Sequence, residues 1–273
     1  MRMIKRLAIL VCALVATLSS ATAQSDAPFV DGESLVYAVC YRAKMVPKTP
    51  VGRATLKCKE LTFEGSPHYR ITANGRTLPF FRWFYDLDDT YTSHIEASTM
   101  RPTRLQVELR EEKYRFDATY HYDWDANQVH TAYKKGSWSR VHNKTMALGD
   151  KHYDPVALFY NLRFIEPEDY HLNEPVDLHM VLEDTIRIIT YSYLGEDVVK
   201  LKGIGEVPAY KFTCSIATSN GETFTDGTHF FVWLSADNNR IPLIIDSPIR
   251  VGSVAAYLTE YDNLKSELKT IPK

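Results

Sequence analysis

The chain has 273 residues, of which 45% are hydrophobic, and its 32 basic and 34 acidic side chains nearly cancel. This size suits one large β domain or two closely packed lobes. A nucleic-acid partner requires a basic face. Because no block of like charge stands out in the sequence, the composition argues against nucleic-acid binding.

The first residues have the pattern of a secretory signal peptide. A short basic head precedes the apolar run 7–18, and a stretch of small residues ends at Ala23. The apolar run is too short to span a bilayer stably. Cys12 lies inside this run and not at its small-residue exit, which argues against a lipoprotein. We therefore expect cleavage after Ala23 and a periplasmic or otherwise exported chain, residues 24–273, without a transmembrane anchor.

Alternation of apolar and polar side chains recurs along the mature chain, which also carries all of the 17 tyrosines and 12 phenylalanines. A period of two residues is typical of antiparallel strands with one buried face. In the first half, strands are predicted at 35–42, 52–62, 69–73, 90–96, 103–111, 114–124, 128–134 and 136–141.

One helix interrupts this pattern at 154–163. Asp154 can accept hydrogen bonds from the first turn, and Pro155 fits the first helical position. The apolar residues that follow form one face of this helix. A second series of strands is predicted at 175–182, 186–194, 197–205, 210–218, 228–235, 241–247 and 253–261.

The predicted fold class is therefore all-β and mainly antiparallel, with curved sheets that form a sandwich or a partly open barrel around one short helix. Residues 24–273 are expected to form a single β-rich domain, with two packed β halves joined near 142–175 as the alternative. The polar end, 263–273, predicts a frayed short helix or tail.

Three cysteines remain after cleavage. Cys40 and Cys58 lie on consecutive predicted strands, and a hairpin centred near Thr49 would bring their sulfurs together as a disulfide. An unpaired state is equally compatible with the sequence. Cys214 alternates with apolar neighbours, which indicates a small buried side chain and not a nucleophile.

An aromatic segment at 80–85 is the best candidate for a ligand site. Phe80, Phe81, Trp83, Phe84 and Tyr85 are too dense for strand alternation, so some of these rings must leave a single buried face. Rings at a sheet rim can bind sugars, acyl chains or a protein, and the intervening arginine, Arg82, would supply the polar contact. The alternative is that the rings close the open end of the barrel as part of the core.

Motifs of known chemistry are missing from the sequence: it has no nucleophile elbow, no zinc helix, no CxxC pair and no phosphate loop. No cofactor or metal is therefore expected. The acidic residues 86–89 only begin like a calcium loop. His121, Asp123 and Asp125 would share one face of a strand, but the alternating aromatic residues beside them favour an ordinary solvated face.

The sequences VWLSADNNRIPL at 232–243 and VGSVAAYL at 251–258 resemble a family of exported bacterial proteins known as domain of unknown function 3108. Weaker agreement extends to the helix at 154–163 and to 91–94 and 52–55. The resemblance implies curved antiparallel sheets, related to capsule-locus envelope lipoproteins and more loosely to lipoprotein-carrier half-barrels, and it implies no catalytic residue. The turn within 232–243 is itself typical of a fold-defining hairpin.

Three functions follow as hypotheses. The first is a noncatalytic protein that binds an apolar, glycan or protein component of the cell envelope. The second is an enzyme that acts on an envelope polysaccharide through paired carboxylates such as Asp86, Asp88 or Asp123. The third is a purely structural subunit of a surface assembly.

Overall fold

The protein is described from a computed structural model, which covers residues 27–43, 46–136, 140–216, 229–248 and 253–272. The predicted signal peptide at 1–23 lies outside these ranges. Within them the chain forms 15 strands and one α-helix. The strands are β1 (Ser34–Ala43), β2 (Val46–Phe63), β3 (Ser66–Thr77), β4 (Asp88–Glu96), β5 (Pro102–Glu111), β6 (Tyr114–Asp123), β7 (Gln128–Lys135), β8 (His142–Ala147), β9 (His152–Tyr153), β10 (Pro175–Leu182), β11 (Thr185–Leu201), β12 (Gly205–Ile216), β13 (His229–Ser235), β14 (Pro242–Pro248) and β15 (Ser253–Asp262). The helix α1 spans Pro155–Asn161, and 3-10 turns span Pro79–Phe81, Leu162–Phe164 and Pro167–Asp169.

All 15 strands belong to one sheet, in the order β8-β7-β6-β5-β4-β3-β2-β1-β15-β14-β13-β12-β11-β10-β9. The first and last strands, β1 and β15, pair antiparallel in the middle and so join the two halves of the chain. Strands β1 to β8 pair antiparallel in chain order and so do β10 to β15, while the short β9 pairs in parallel with β10. The sheet is curved but not closed, because β8 and β9 form its two ends. The predicted class, mainly antiparallel all-β with one short helix, is confirmed.

Some predicted boundaries are wrong. Instead of a strand at 136–141, Gly136 is a turn with a φ of 63°, Arg140 is a bend, and the next strand is β8; residues 137–139 lie outside the described ranges. The strands predicted at 186–194 and 197–205 are one strand, β11. A bulge at Gly195, whose φ is 111°, lets β11 bend without ending.

The sheet curls so that the hairpin between β10 and β11 reaches the inner face of the first half. The hydroxyl of Tyr120 on β6 donates a hydrogen bond to the carbonyl oxygen of Glu183, at 2.8 Å. Val181 on β10 is fully buried in the same cluster as Leu105 and Phe116. The contacts hold the two halves of the sheet around a common interior.

Helix α1 packs inside this curve. Its cap, Asp154, accepts hydrogen bonds from the backbone N–H groups of Val156 and Ala157 at 2.8 Å, as the sequence predicted, and from the hydroxyl of Ser93 on β4 at 2.6 Å. Burial raises the pKa of Asp154 to about 6, although the three hydrogen bonds act in the opposite direction. One carboxyl group therefore both begins the helix and fixes it to the sheet.

A buried ion pair lies at the other end of this segment. Arg163 and Glu33 are both 0% exposed, and the guanidinium donates to the two carboxylate oxygens at 2.7 and 2.8 Å. Arg163 also donates to the carbonyl oxygens of Pro28 and Asn239. Asn239 belongs to the β13–β14 turn in the 232–243 motif, so this arginine joins three distant parts of the chain.

The C-terminal end is packed against the same turn and is not a frayed helix. The side chain of Asn239 exchanges two hydrogen bonds with the backbone of Ser266, at 2.9 and 3.0 Å. Leu268 is 4% exposed within the main core cluster, and the backbone N–H of Ile271 donates to the carbonyl oxygen of Glu206. The prediction from polarity was wrong because these few apolar residues find a docking surface that composition does not reveal.

All three described cysteines are free and buried. The predicted disulfide is not formed, because the β1–β2 hairpin turns earlier than Thr49 and places Cys40 opposite Pro50. Cys58 instead donates its backbone N–H to the carbonyl oxygen of Glu33, just before β1. Along the strands this separates the two sulfurs by roughly 20 Å. Burial raises the pKa of Cys214 to about 12, which agrees with a packing role.

Among the helices of the described residues, none has the length and apolar character needed to cross a membrane.

Candidate functional site

The aromatic segment leaves the sheet at the connection between β3 and β4. Its first residues form the 3-10 turn Pro79–Phe81, after which the chain turns away from the core. Phe80, Trp83 and Phe84 are 76%, 80% and 76% exposed, and Tyr85 is 42% exposed. The expectation that these rings close the barrel as core is therefore wrong, since most of their surface faces solvent.

Polar contacts hold the base of this aromatic loop, residues 79–85. Arg82 forms an ion pair with Asp86 at 3.5 Å, and the hydroxyl of Tyr85 donates to Glu111 on β5 at 2.8 Å. The backbone N–H of Asp86 donates to Glu112. The loop is thus fixed at its C-terminal side, while the three most exposed rings have no part in these contacts.

A carboxyl pair lies beneath the loop. Asp89 on β4 is half-buried and hydrogen-bonded to Glu111. Burial raises the pKa of Asp89 to about 6, a hydrogen bond from the backbone of Arg110 acts against this, and the charge of Glu111 adds to it. Two carboxyl groups in direct contact leave no room for the substrate that lies between the carboxylates of glycosidases, which are about 5 to 9 Å apart.

Of the three carboxylates named for enzyme chemistry, Asp123 lies far from the other two. Asp88 is the first residue of β4, opposite Arg76, and Asp86 lies two residues before it. Asp123 is opposite Gln128 at the far end of β6. Through the register of β4, β5 and β6, this corresponds to about 25 Å along the strands. Asp123 therefore cannot act on one bond together with Asp86 or Asp88.

The three residues considered as a metal site, His121, Asp123 and Asp125, do not form one. His121 and Asp123 are exposed at the end of β6, and Asp125 lies in the following turn. Asp123 accepts a hydrogen bond from the backbone N–H of Ala126 and so caps that turn. The described residues include no group of three or more histidine, cysteine or acidic side chains arranged to hold a metal ion.

A second candidate site, which the sequence did not reveal, is an open groove of about 430 Å³ on the outer face of the sheet. Tyr69 and Ile71 on β3 point to the core, as do Ser93 and Ile95 on β4, so the residues between them face outward. The lining residues come from four neighbouring strands: Phe63, Arg70, Thr72, Thr92, His94, Arg104 and Gln106.

Register places the cationic members of this groove in one row. Arg70 on β3 is directly opposite His94 on β4, and His94 is directly opposite Arg104 on β5. Phe63, beside the two-residue turn Glu64-Gly65, stacks on the imidazole with the ring centroids 4.3 Å apart. That turn has positive φ at both residues, 50° and 88°, which is the geometry that glycine favours in tight hairpins.

His94 is buried but unsatisfied. It is 7% exposed, and its Nδ1 atom is buried without a hydrogen-bond partner in the described part of the chain. Burial, followed by the positive charges of Arg70, His68 and Arg104, lowers its pKa, and Glu64 acts in the opposite direction. A neutral imidazole still offers one N–H donor to a ligand in the groove.

Sequence alternation alone could have placed each of these residues on an outer face. Alternation does not give the register between strands. It is the register that makes Arg70, His94 and Arg104 direct neighbours on three adjacent strands.

Two interior gaps are too small for a ligand. A gap between Tyr91, Leu105 and Val181 has a volume of about 10 Å³, and a second between Tyr170, Phe212 and Leu234 has about 20 Å³. Each holds about one water molecule at most. The aromatic loop and the groove offer a larger contact surface than either gap.

Comparison with solved structures finds a similar architecture. The crystal structure of a beta-barrel-like protein of domain of unknown function DUF1849 from Brucella abortus matches with a TM-score of 0.56 and 11% sequence identity, over 88% of this chain and 100% of that one. At this identity the similarity shows the fold alone. No curated protein matches the sequence.

The family comparison agrees with the resemblance noted in the sequence. The family described as a protein of unknown function, DUF3108, matches residues 36–259, from the start of β1 almost to the end of β15. That range contains the β13–β14 turn, the capped helix α1 and both surface sites. The chain is therefore a member of the DUF3108 family.

Proposed function

We propose that this protein is an exported, noncatalytic binding protein that attaches to a lipid component of the cell envelope through the aromatic loop. The N-terminal sequence pattern supports export. The exposure of Phe80, Trp83 and Phe84 on one short loop is the observation that supports lipid binding.

The three rings expose a large apolar surface for so few residues. With about 200 Å² for each aromatic side chain, three-quarters exposure leaves roughly 450 Å² in water. Burial of this area is worth about 11 kcal/mol before the costs of association are subtracted. A surface of this kind on a soluble protein marks a site of interaction.

Ring geometry favours an apolar ligand over a flat sugar platform. The planes of Phe80 and Phe81 are 85° apart, and those of Trp83 and Phe84 are 72° apart. A protein partner would need about 800 Å² on each side, which is more than the loop supplies. Insertion of the rings between lipid chains requires neither a shared plane nor a matching surface.

The test is flotation of the mature chain, residues 24–273, with phosphatidylcholine vesicles, because the apolar run 7–18 would itself bind lipid. The wild type is expected to float with the vesicles, and the Trp83→Ser/Phe84→Ser variant is expected to bind at least tenfold more weakly, because each ring contributes about 1.5 to 3 kcal/mol. Leu172→Ser is the matched control, since Leu172 is 63% exposed in the other half of the chain.

Two results would overturn the proposal: a wild-type chain that stays in solution with every vesicle tested, or a loop variant that floats as well as the wild type. Tryptophan emission gives a second measurement. The shift to shorter wavelength on addition of vesicles should disappear when Trp83 is replaced.

A further inference from the structure

The groove on the outer face of the sheet has cationic side chains without counter-ions. Within the described residues, neither Arg70 nor Arg104 takes part in an ion pair or a side-chain hydrogen bond, and the Nε atom of Arg104 is buried without a partner. Most other arginines nearby are satisfied; Arg110, for example, pairs with Asp117 on the same face. The arginines of the groove therefore have unused donors.

Their arrangement costs stability in the empty protein. Arg70 and Arg104 are the cross-strand neighbours of His94 on its two sides, so two positive charges lie about 10 Å apart at the backbone without a negative partner between them. His94 adds a buried polar group without a partner, which is also unfavourable. An anion in the groove would remove both penalties, because it would accept hydrogen bonds from all three side chains.

We propose that this groove binds a phosphate monoester. The two guanidinium groups lie on strands separated by one neighbour, about 10 Å apart at the backbone, so their forks can approach one ligand from both sides. Arginine forks match the oxygens of phosphate and form strong, charge-assisted hydrogen bonds. His94 supplies a further N–H donor from the centre of the row.

The volume of the groove and its other lining residues indicate which group is attached to the phosphate. The volume of about 430 Å³ exceeds that of a phosphate alone and lies within the range of small-molecule sites. Thr72, Thr92 and Gln106 form the next part of the groove and offer hydroxyl and amide groups. The substituent is therefore small and hydroxylated, as in glycerol phosphate, either free in solution or as the headgroup of a lipid.

This site is independent of lipid attachment through the aromatic loop. Arg70 is six residues from Arg76, which is near the loop end of β3, so the two sites are about 20 Å apart along the strand. Loss of one site is not expected to remove the other.

The experiment is calorimetric titration of the full chain with inorganic phosphate and with glycerol phosphate at low ionic strength. We expect one saturable site in the wild type, and binding weakened about tenfold or more by Arg70→Gln or by Arg104→Gln. Arg76→Gln is the matched control: it lies on the same strand, removes the same charge, and is outside the groove. This control should bind like the wild type.

The unfolding temperature, measured with and without phosphate, tests binding even if a variant is less stable than the wild type. Ligand that binds only the folded state raises the unfolding temperature, so phosphate should raise it in the wild type and in Arg76→Gln, but not in the two groove variants. The proposal is overturned if no probe binds in a saturable manner, or if Arg76→Gln weakens binding as much as the groove variants do.

Vesicles that contain phosphatidic acid distinguish the two sources of the phosphate. They are tested in the Trp83→Ser/Phe84→Ser background, so that the aromatic loop does not contribute. Binding that depends on Arg70 and Arg104 assigns the groove to a lipid headgroup. Binding of glycerol phosphate without binding of these vesicles assigns it to a soluble phosphate ester.

Discussion

Replacement of Glu33 by glutamine removes the negative partner of a completely buried arginine. Burial alone would lower the pKa of Arg163, but the hydrogen bonds and charge of Glu33 raise it above the ordinary value. Arg163 therefore stays charged in the folded protein. In the Glu33→Gln variant its positive charge has no counter-charge at 0% exposure.

The expected cost is large. Removal of one partner from a buried ion pair costs about 3 to 5 kcal/mol, because the remaining charge stays desolvated. Here the guanidinium keeps its hydrogen bonds to the carbonyl oxygens of Pro28 and Asn239. The loss therefore concerns the two bonds between Arg163 and the carboxylate and the bond that the hydroxyl of Tyr160 donates to the same carboxylate at 3.3 Å. We expect a decrease of about 4 kcal/mol in the free energy of unfolding.

Urea unfolding followed by circular dichroism measures the decrease in the free energy of unfolding. A second ion pair in the same chain serves as the control. Arg240 and Glu166 form a similar two-bond pair, at 2.9 and 3.0 Å, but the side chain of Glu166 is 58% exposed. Glu166→Gln should therefore cost at most about 1 kcal/mol. Equal costs for the two variants would show that burial does not determine the strength of these pairs and would refute the reasoning.

Three further predictions concern stability and thiol chemistry. The carboxyl group of Asp154 binds a proton more tightly in the folded chain, where its pKa is about 6 and not 3.8, so this group should lower stability by about 3 kcal/mol as the pH rises from about 4 to 6. Asp154→Asn should reduce the dependence of stability on pH by this amount in urea unfolding and leave the part that Asp89 contributes, because the pKa of Asp89 is also raised to about 6; an unchanged slope would contradict the assignment. Cys40 and Cys58 should remain thiols under oxidising conditions, so that mass spectrometry of a nonreduced digest finds no peptide in which they are joined; such a peptide would contradict the register of the β1–β2 hairpin. Leu268→Ala should cost about 2 to 5 kcal/mol, because this side chain is 4% exposed; a change below about 0.5 kcal/mol would indicate a frayed end.

Local signals in the sequence accounted for the strands and the helix. Alternation of side chains identified β5, β6 and β7 within about one residue of their ends, because each has one face in the core and one in solvent. Asp154 and Pro155 marked the start of α1 for a similar local reason: both act on the backbone within one turn. The bulge in β11 was missed, since a glycine after an aromatic strand segment predicts a turn as readily as a bend.

The aromatic loop was recognised as a departure from alternation, but its exposure was not determined by the sequence. Five rings in six residues are compatible with a core or with a surface, and the turn after Thr77 decides between them. The same limit applied to the cysteines. A hairpin that turned near Thr49 would have joined Cys40 to Cys58, whereas the observed register separates them.

The sequence by itself thus determined which residues form strands, where the helix begins and which residues alternate toward the core, because these properties depend on neighbours a few positions away. Tertiary structure alone decided that Arg163 meets Glu33, that Leu268 is buried and that Arg70, His94 and Arg104 form one row. These contacts depend on the register between strands and on the curvature of the sheet. Register and curvature both arise from the packing of the whole chain, so neither follows from the sequence of a single segment.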